Sequence, residues 1–156
     1  MILDAIRNGN AEEVRSLLAA DPSLLKTRTP EGASAVLWAV YTGHPELAPL
    51  LLGGRAPDFY EACALGDAAR AAALLAESPA LANAPAPDGF TALGFACFFR
   101  HPDVARAVLD GGADPSLPSA NPMRFSPLHS AVAADVYEIM DLLLGRGADA
   151  NARDAQ

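Results

Sequence analysis

Lysine is nearly absent from this chain of 156 residues, with Lys26 the single example, and cysteine occurs only twice, as Cys63 and Cys97. Aromatic residues make up 6%. Two cysteines cannot form a disulfide framework, and no Cys-x-x-Cys pair is present to hold a structural zinc ion. With 11 basic against 19 acidic residues the net charge is −8, so the chain lacks the basic excess that phosphate backbones demand, and no nucleic-acid partner is expected. No apolar run approaches the ~20 residues that cross a bilayer. Met1 to Arg7 carries no basic segment leading into a long apolar stretch. The expectation is a cytoplasmic chain that does not engage a membrane. At 51% apolar it is not a disordered chain, and its alanine-rich, aromatic-poor make-up suits a core of closely approaching helices. Ten arginines to one lysine is the bias of a GC-rich genome and suggests a bacterial source.

Self-comparison shows what is there. Offset by 57 residues, Ala5-Ile6-Arg7-Asn8-Gly9-Asn10 falls on Ala62-Cys63-Ala64-Leu65-Gly66-Asp67. At the same offset Leu17-Leu18 falls on Leu74-Leu75, Pro30 on Pro87, Gly32 on Gly89 and His44-Pro45-Glu46 on His101-Pro102-Asp103. Each block divides again around marker alanines Ala5, Ala39, Ala62, Ala96 and Ala131, spaced by 34, 23, 34 and 35, which makes five units. Each unit reads as two short helices. In the fourth, Thr91 is a good N-cap before an apolar run. Pro102 stands where a first-turn proline loses no hydrogen bond, and Asp103 follows in the positive first turn. Val104, Ala105, Val108 and Leu109 then make one apolar face, ended by Gly111-Gly112. Such a helix pair cannot bury its own apolar face and needs stacked neighbours.

These residues resemble the ankyrin repeat family. Ser126-Pro127-Leu128-His129-Ser130-Ala131 is similar to the family's Thr-Pro-Leu-His-x-Ala motif. Ile139 to Asn151 resembles its second helix and Gly-Ala-Asp-x-Asn exit, and Gly89-Phe90-Thr91-Ala92-Leu93 with Gly111-Gly112-Ala113-Asp114 fits the same frame. The resemblance implies an all-α solenoid of about five helix–turn–helix units with short loop or hairpin fingers. One ankyrin-repeat domain over 1–156 is expected, with units near 2–27, 28–57, 58–84, 85–115 and 116–152. Departures from the frame carry expectations too. Leu52 to Ala62 is 10 residues against 21 from Leu18 to Ala39, which leaves no room for a finger there. Pro49 should delay or kink its helix. Ser116 to Phe125 should form a larger, irregular finger.

The chemistry-bearing residues read as structural. His44 and His101 occupy equivalent positions and His129 sits in the motif, so each is expected to tie local backbone within its repeat rather than to bind metal or act as a base. Cys63 and Cys97 recur in consecutive inner helices, at a spacing beyond disulfide reach, and are expected to be buried. The carboxylates Glu12, Glu13, Glu46, Asp67 and Asp103 fall near helix starts. No catalytic residue, cofactor or metal ligand is assigned. In ankyrin-like repeats, partners meet the fingers and the exposed side of the inner helices. Carried over, those positions nominate Tyr41, Thr42, Leu65, Phe98 and Phe99 on the helices, with Glu31, Asp88, Phe90 and Phe125 on the fingers. Trp38 and Phe95 are expected to pack within the stack.

A non-enzymatic protein-interaction module follows as the expectation, its protein partner presenting apolar groups and some basic charge. The alternatives are a self-associating scaffold or fragment of a longer array, with weak self-association of a monomer through the C-terminal unit, and, remotely, a carboxylate-dependent hydrolase.

Overall fold

The structure, a computed structural model, describes residues 1–153. Among them are ten α-helices and no strand: α1 (Ile2–Arg7), α2 (Ala11–Ala20), α3 (Ala35–Tyr41), α4 (Ala48–Leu52), α5 (Phe59–Leu65), α6 (Ala68–Glu77), α7 (Ala92–Phe98), α8 (Pro102–Asp110), α9 (Pro127–Ala133) and α10 (Tyr137–Gly145). They form five pairs, divided between two compact units, Met1–Pro57 and Asp58–Gln156.

In the first unit α1 packs on α2 and α3, and α3 on α4. The Trp38 indole N–H donates to the Leu3 carbonyl at 2.9 Å, fixing α3 against α1. Ile6, Val14, Val36, Leu47 and Leu51 fill the core. Pro49 splits the fourth helical segment as its chemistry requires. Lacking an N–H, it cannot bond the carbonyl of Pro45, so a 3₁₀ turn at Pro45–Leu47 precedes an α-helix that starts only at Ala48. The chain then leaves through Gly53 in left-handed backbone and reaches α5 without a finger.

In the second unit α5, α7 and α9 pack side by side as one layer, and α6, α8 and α10 as the next. Leu93, Val104, Val108, Ile139 and Leu143 are fully buried between them. Across both units the marker alanines are at most 1% exposed. Only a methyl side chain lets helices approach this closely, which explains why alanine, rather than a larger apolar residue, marks each pair. Thr91 caps α7 as expected, and five further helices are capped alike. Asn10, Ser34, Asp58, Asp67, Thr91 and Ser126 each accept the N–H of the residue three positions on.

The fingers are short turns. Thr29 N–H donates to Ala33 O and Gly32 N–H to Thr29 O, both at 2.9 Å. Fifty-seven residues later Ala86 N–H donates to Phe90 O and Gly89 N–H to Ala86 O, both at 2.8 Å. The last finger is irregular, closed by Ser119 N–H donating to Phe125 O at 2.8 Å. It is also bound to its neighbour: Ala120 N–H donates to Gly89 O at 2.7 Å, and the Asn121 side chain to Asp88 O at 3.3 Å.

Candidate functional site

Two of the nominated side chains meet in one open apolar groove of about 350 Å³ in the second unit. Phe98, the last residue of α7, and Phe125, the end of the large finger, line it together with Leu128, His129, Val132 and Ala133 of α9 and with Ala150 and Ala152 beyond α10. Phe98 is 54% exposed, Phe125 37% and Val132 57%. Apart from Met1, every large apolar side chain exposed among the described residues lies between Phe98 and Leu144. The spacing along α9 explains most of the lining: Leu128 and Val132, four residues apart, share one helical face, Ser130 contributes between them, and Ala131 is fully buried.

Phe98 is held by an aromatic cluster. It meets Phe99 edge-on at 5.1 Å between ring centroids, Phe99 stacks on Phe95 at 6.3 Å, and Phe90 tilts against Phe95 at 5.9 Å. Phe99 and Phe90 are half-buried and Phe95 buried, so this row anchors the finger to α7 and leaves Phe98 facing solvent. Tyr60 closes the other side of Phe95, and its hydroxyl lies 2.9 Å from the Ala84 carbonyl, to which it donates. Burial raises the Tyr60 pKa.

The other nominated residues are placed differently. Thr42 spends its hydroxyl on the Trp38 carbonyl at 2.9 Å, closing the end of α3, and Tyr41 is half-buried beside it in sequence. Leu65 is the half-buried last residue of α5. Glu31 is exposed on the first finger, whereas Asp88 is half-buried, accepts from Phe90 N–H at 3.4 Å and carries the last finger on its carbonyl. Leu128, Val132 and Ala152 line the groove without having been nominated. Leu128 and Val132 carry a signal in their four-residue spacing, but sequence alone does not say which face of α9 is covered.

The histidines need one correction. His129 does act within its own repeat, accepting Ser126 N–H at 3.4 Å. His101 instead reaches the preceding pair, its Nε2 donating to Ala64 O at 2.9 Å. A Cβ added at Gly66 would lie 2.7 Å from His101 Nδ1, and one at Gly9 would lie 2.5 Å from His44 Cε1. Both rings therefore lie against a glycine turn of the pair before, and only glycine admits them. Cys63 and Cys97 are buried, and burial pushes both thiols up to about 12. Neither is a thiolate at neutral pH. No group of three His, Cys, Asp or Glu side chains able to hold a metal is found among the described residues. No described helix is long and apolar enough to cross a membrane.

The comparisons with known proteins agree with this geometry. Residues 2–118 and 59–154 match the family described as ankyrin repeats (3 copies). The chain is 45% identical over 56 residues to the human Neurogenic locus notch homolog protein 4, which is 36% of this chain and 3% of that protein. It is 34% identical over 85 residues to the human NAD-capped RNA hydrolase NUDT12, 54% of this chain and 18% of that protein. The chain thus spans only a small part of the length of these relatives. The repeated helix pairs, the capped turns and the family match together place this chain in the ankyrin repeat family.

Proposed function

We propose that this chain is a protein-interaction module that receives its partner in the groove between the large finger and the exposed faces of α7 and α9. The family is one of protein-interaction repeats, and the observation that supports this particular surface is the concentration of exposed apolar side chains between Phe98 and Leu144. Exposed aromatic and aliphatic groups around a concavity are the usual anchors of an interface. Asp88 and Phe90 contribute by holding the fingers that form one wall. Glu31, Tyr41, Thr42 and Leu65 belong to the wider nominated surface and are expected to contribute less than Phe98. The nature of the groove fits binding rather than catalysis: its lining is mostly apolar, and its one titratable side chain, His129, accepts the Ser126 N–H at Nδ1.

Affinity purification with the parent chain and with a Phe98→Ser, Val132→Ser double variant tests the assignment. Both side chains are exposed, so the fold should persist. Partners lost from the variant support the groove, and recovery of every partner unchanged would rule it out.

A second reading is favoured by the last helix. On α10, Tyr137 is 71% exposed and Leu144 46%. They could serve weak self-association. Light scattering across a concentration series decides it: a strict monomer at the highest concentration removes this reading.

A further inference from the structure

We propose that the occupant of this groove is an apolar peptide segment that carries carboxylates. The proposal rests on the protein-binding reading above and adds the partner's chemistry to it.

Of the 11 cationic side chains, Arg7, Arg15, Arg106 and Arg146 form ion pairs within the chain, and Arg28 and Arg55 donate to the carbonyls of Gly32 and Ala56. Arg70 is also engaged. Lys26, Arg100, Arg124 and Arg153 make no side-chain hydrogen bond or ion pair among the described residues, and all four are exposed; Lys26 lies in the first unit, and Arg153 follows Ala152 of the groove. Arg124 immediately precedes Phe125, and Arg100 stands two residues after Phe98, so each is a close chain neighbour of a ring that lines the groove.

Both arginines also hold left-handed backbone, at φ +65° for Arg100 and +48° for Arg124. Arginine is disfavoured there because its Cβ crowds the following carbonyl. The equivalent turn residue in the first three helix pairs is Gly9, Gly43 or Gly66, with φ between +66° and +85°. Glycine would perform the structural task at Arg100 without strain. A long, unpaired cation kept in strained backbone beside an exposed aromatic ring serves a group outside the chain. The net charge of −8 favours basic partners at long range, whereas at contact the guanidinium groups favour carboxylates, with bidentate geometry. Asp149, which precedes Ala150 of the groove in sequence, is turned onto the Asn151 N–H at 2.9 Å. The partner's carboxylates therefore belong at the Phe98–Phe125 end.

The test is selection of a phage-displayed random peptide library on the full chain. Selected peptides are resynthesised with each Asp or Glu changed to Asn or Gln, and again to Lys, and titrated by fluorescence anisotropy. The expected peptides combine apolar residues with Asp or Glu. Their amide versions should bind about tenfold more weakly, in line with loss of a charge-paired contact. An Arg100→Glu, Arg124→Glu double variant should prefer the Lys versions. Arg100→Gly should lose part of the acidic preference while melting no lower than the parent, which separates lost recognition from lost folding. Neutral or basic peptides, or indifference to both arginine variants, would overturn the acidic assignment and leave the protein-binding reading standing. Peptides insensitive to Phe98→Ser would overturn the groove as well. If no peptide is enriched, a linear occupant is excluded, and the protein-binding reading then rests on folded partners alone.

Discussion

Tyr41-Thr42-Gly43 in the first unit and Phe98-Phe99-Arg100 in the second are the same three positions of a duplicated 57-residue block. In the first, each residue suits the local structure. The Thr42 hydroxyl closes the helix on the Trp38 carbonyl, and Gly43 takes the left-handed turn at φ +83° without strain. In the second, a large ring is left exposed and an arginine sits in that left-handed turn. Much of the surrounding frame is kept, with the same finger hydrogen bonds, the same histidine against a glycine turn and the same buried alanines, although Pro49 splits the first copy's outer helix where α8 is continuous. An exposed ring and a left-handed arginine at one corner of a repeated frame support the proposal that the partner meets the protein there.

The comparison can be broken in its shared part. Leu93 and Val36 are equivalent and both fully buried. Leu93→Ala should cost about 2–5 kcal/mol, and Val36→Ala about 0.8 kcal/mol less, for the methylene it does not remove. Urea unfolding followed by circular dichroism measures both, and a negligible loss at either position would mean that the copies do not share a core frame. A smaller effect is expected at the turns. Gly43→Ala meets no atom within 4 Å and should cost only the left-handed backbone penalty of about 1–2 kcal/mol. Gly66→Ala faces that same penalty at φ +85° and also collides with the His101 ring, so it should lower the melting temperature further.

The divergent corner gives the next test. Arg100→Gly should raise stability by roughly 1 kcal/mol, because it relieves left-handed strain. Asp135→Gly, at φ +57°, should gain less, since aspartate tolerates that region better. The smallest effect concerns Glu46. Its backbone hydrogen bond, and then His44 at 3.1 Å, hold its carboxyl below the usual value. A depressed carboxyl stabilises the fold above its ordinary pKa, and that stability is lost as pH falls through the lowered value. Glu46→Gln should therefore lower the melting temperature slightly at neutral pH and flatten a slight acid-side slope, the two proteins converging at low pH.

Most of the frame was legible because repetition multiplies weak signals. A single Ala or Leu-Leu pair says little, but one offset aligning His44 with His101 and Gly32 with Gly89 fixes the helix pairs and their turns. Pro49 and the long stretch before Phe125 were legible for the opposite reason, as local breaks in a known frame. The site was legible in part. Phe98 and Phe125 could be nominated, since both stand at positions that repeats of this kind expose. What escaped is set by tertiary placement. Phe99 looks like its neighbour in sequence, yet stacks on Phe95. Thr42 is spent on its own helix, while Leu128 and Val132 are uncovered by the path of the last finger. The reach of His101 to Ala64 depends on how adjacent pairs stack, which one repeat read alone does not reveal.

The central claim is that the partner meets the corner at Phe98, and site-specific photo-cross-linking tests it most directly. A benzophenone side chain is placed at Phe98 in one version of the chain and at exposed Ala72 of α6 in another, and both are irradiated in the expressing cell. The account predicts a discrete covalent adduct from Phe98 and none from Ala72, with the Phe98 adduct weakened by Val132→Ser. Adducts of equal yield from both positions, or from Ala72 alone, would contradict it.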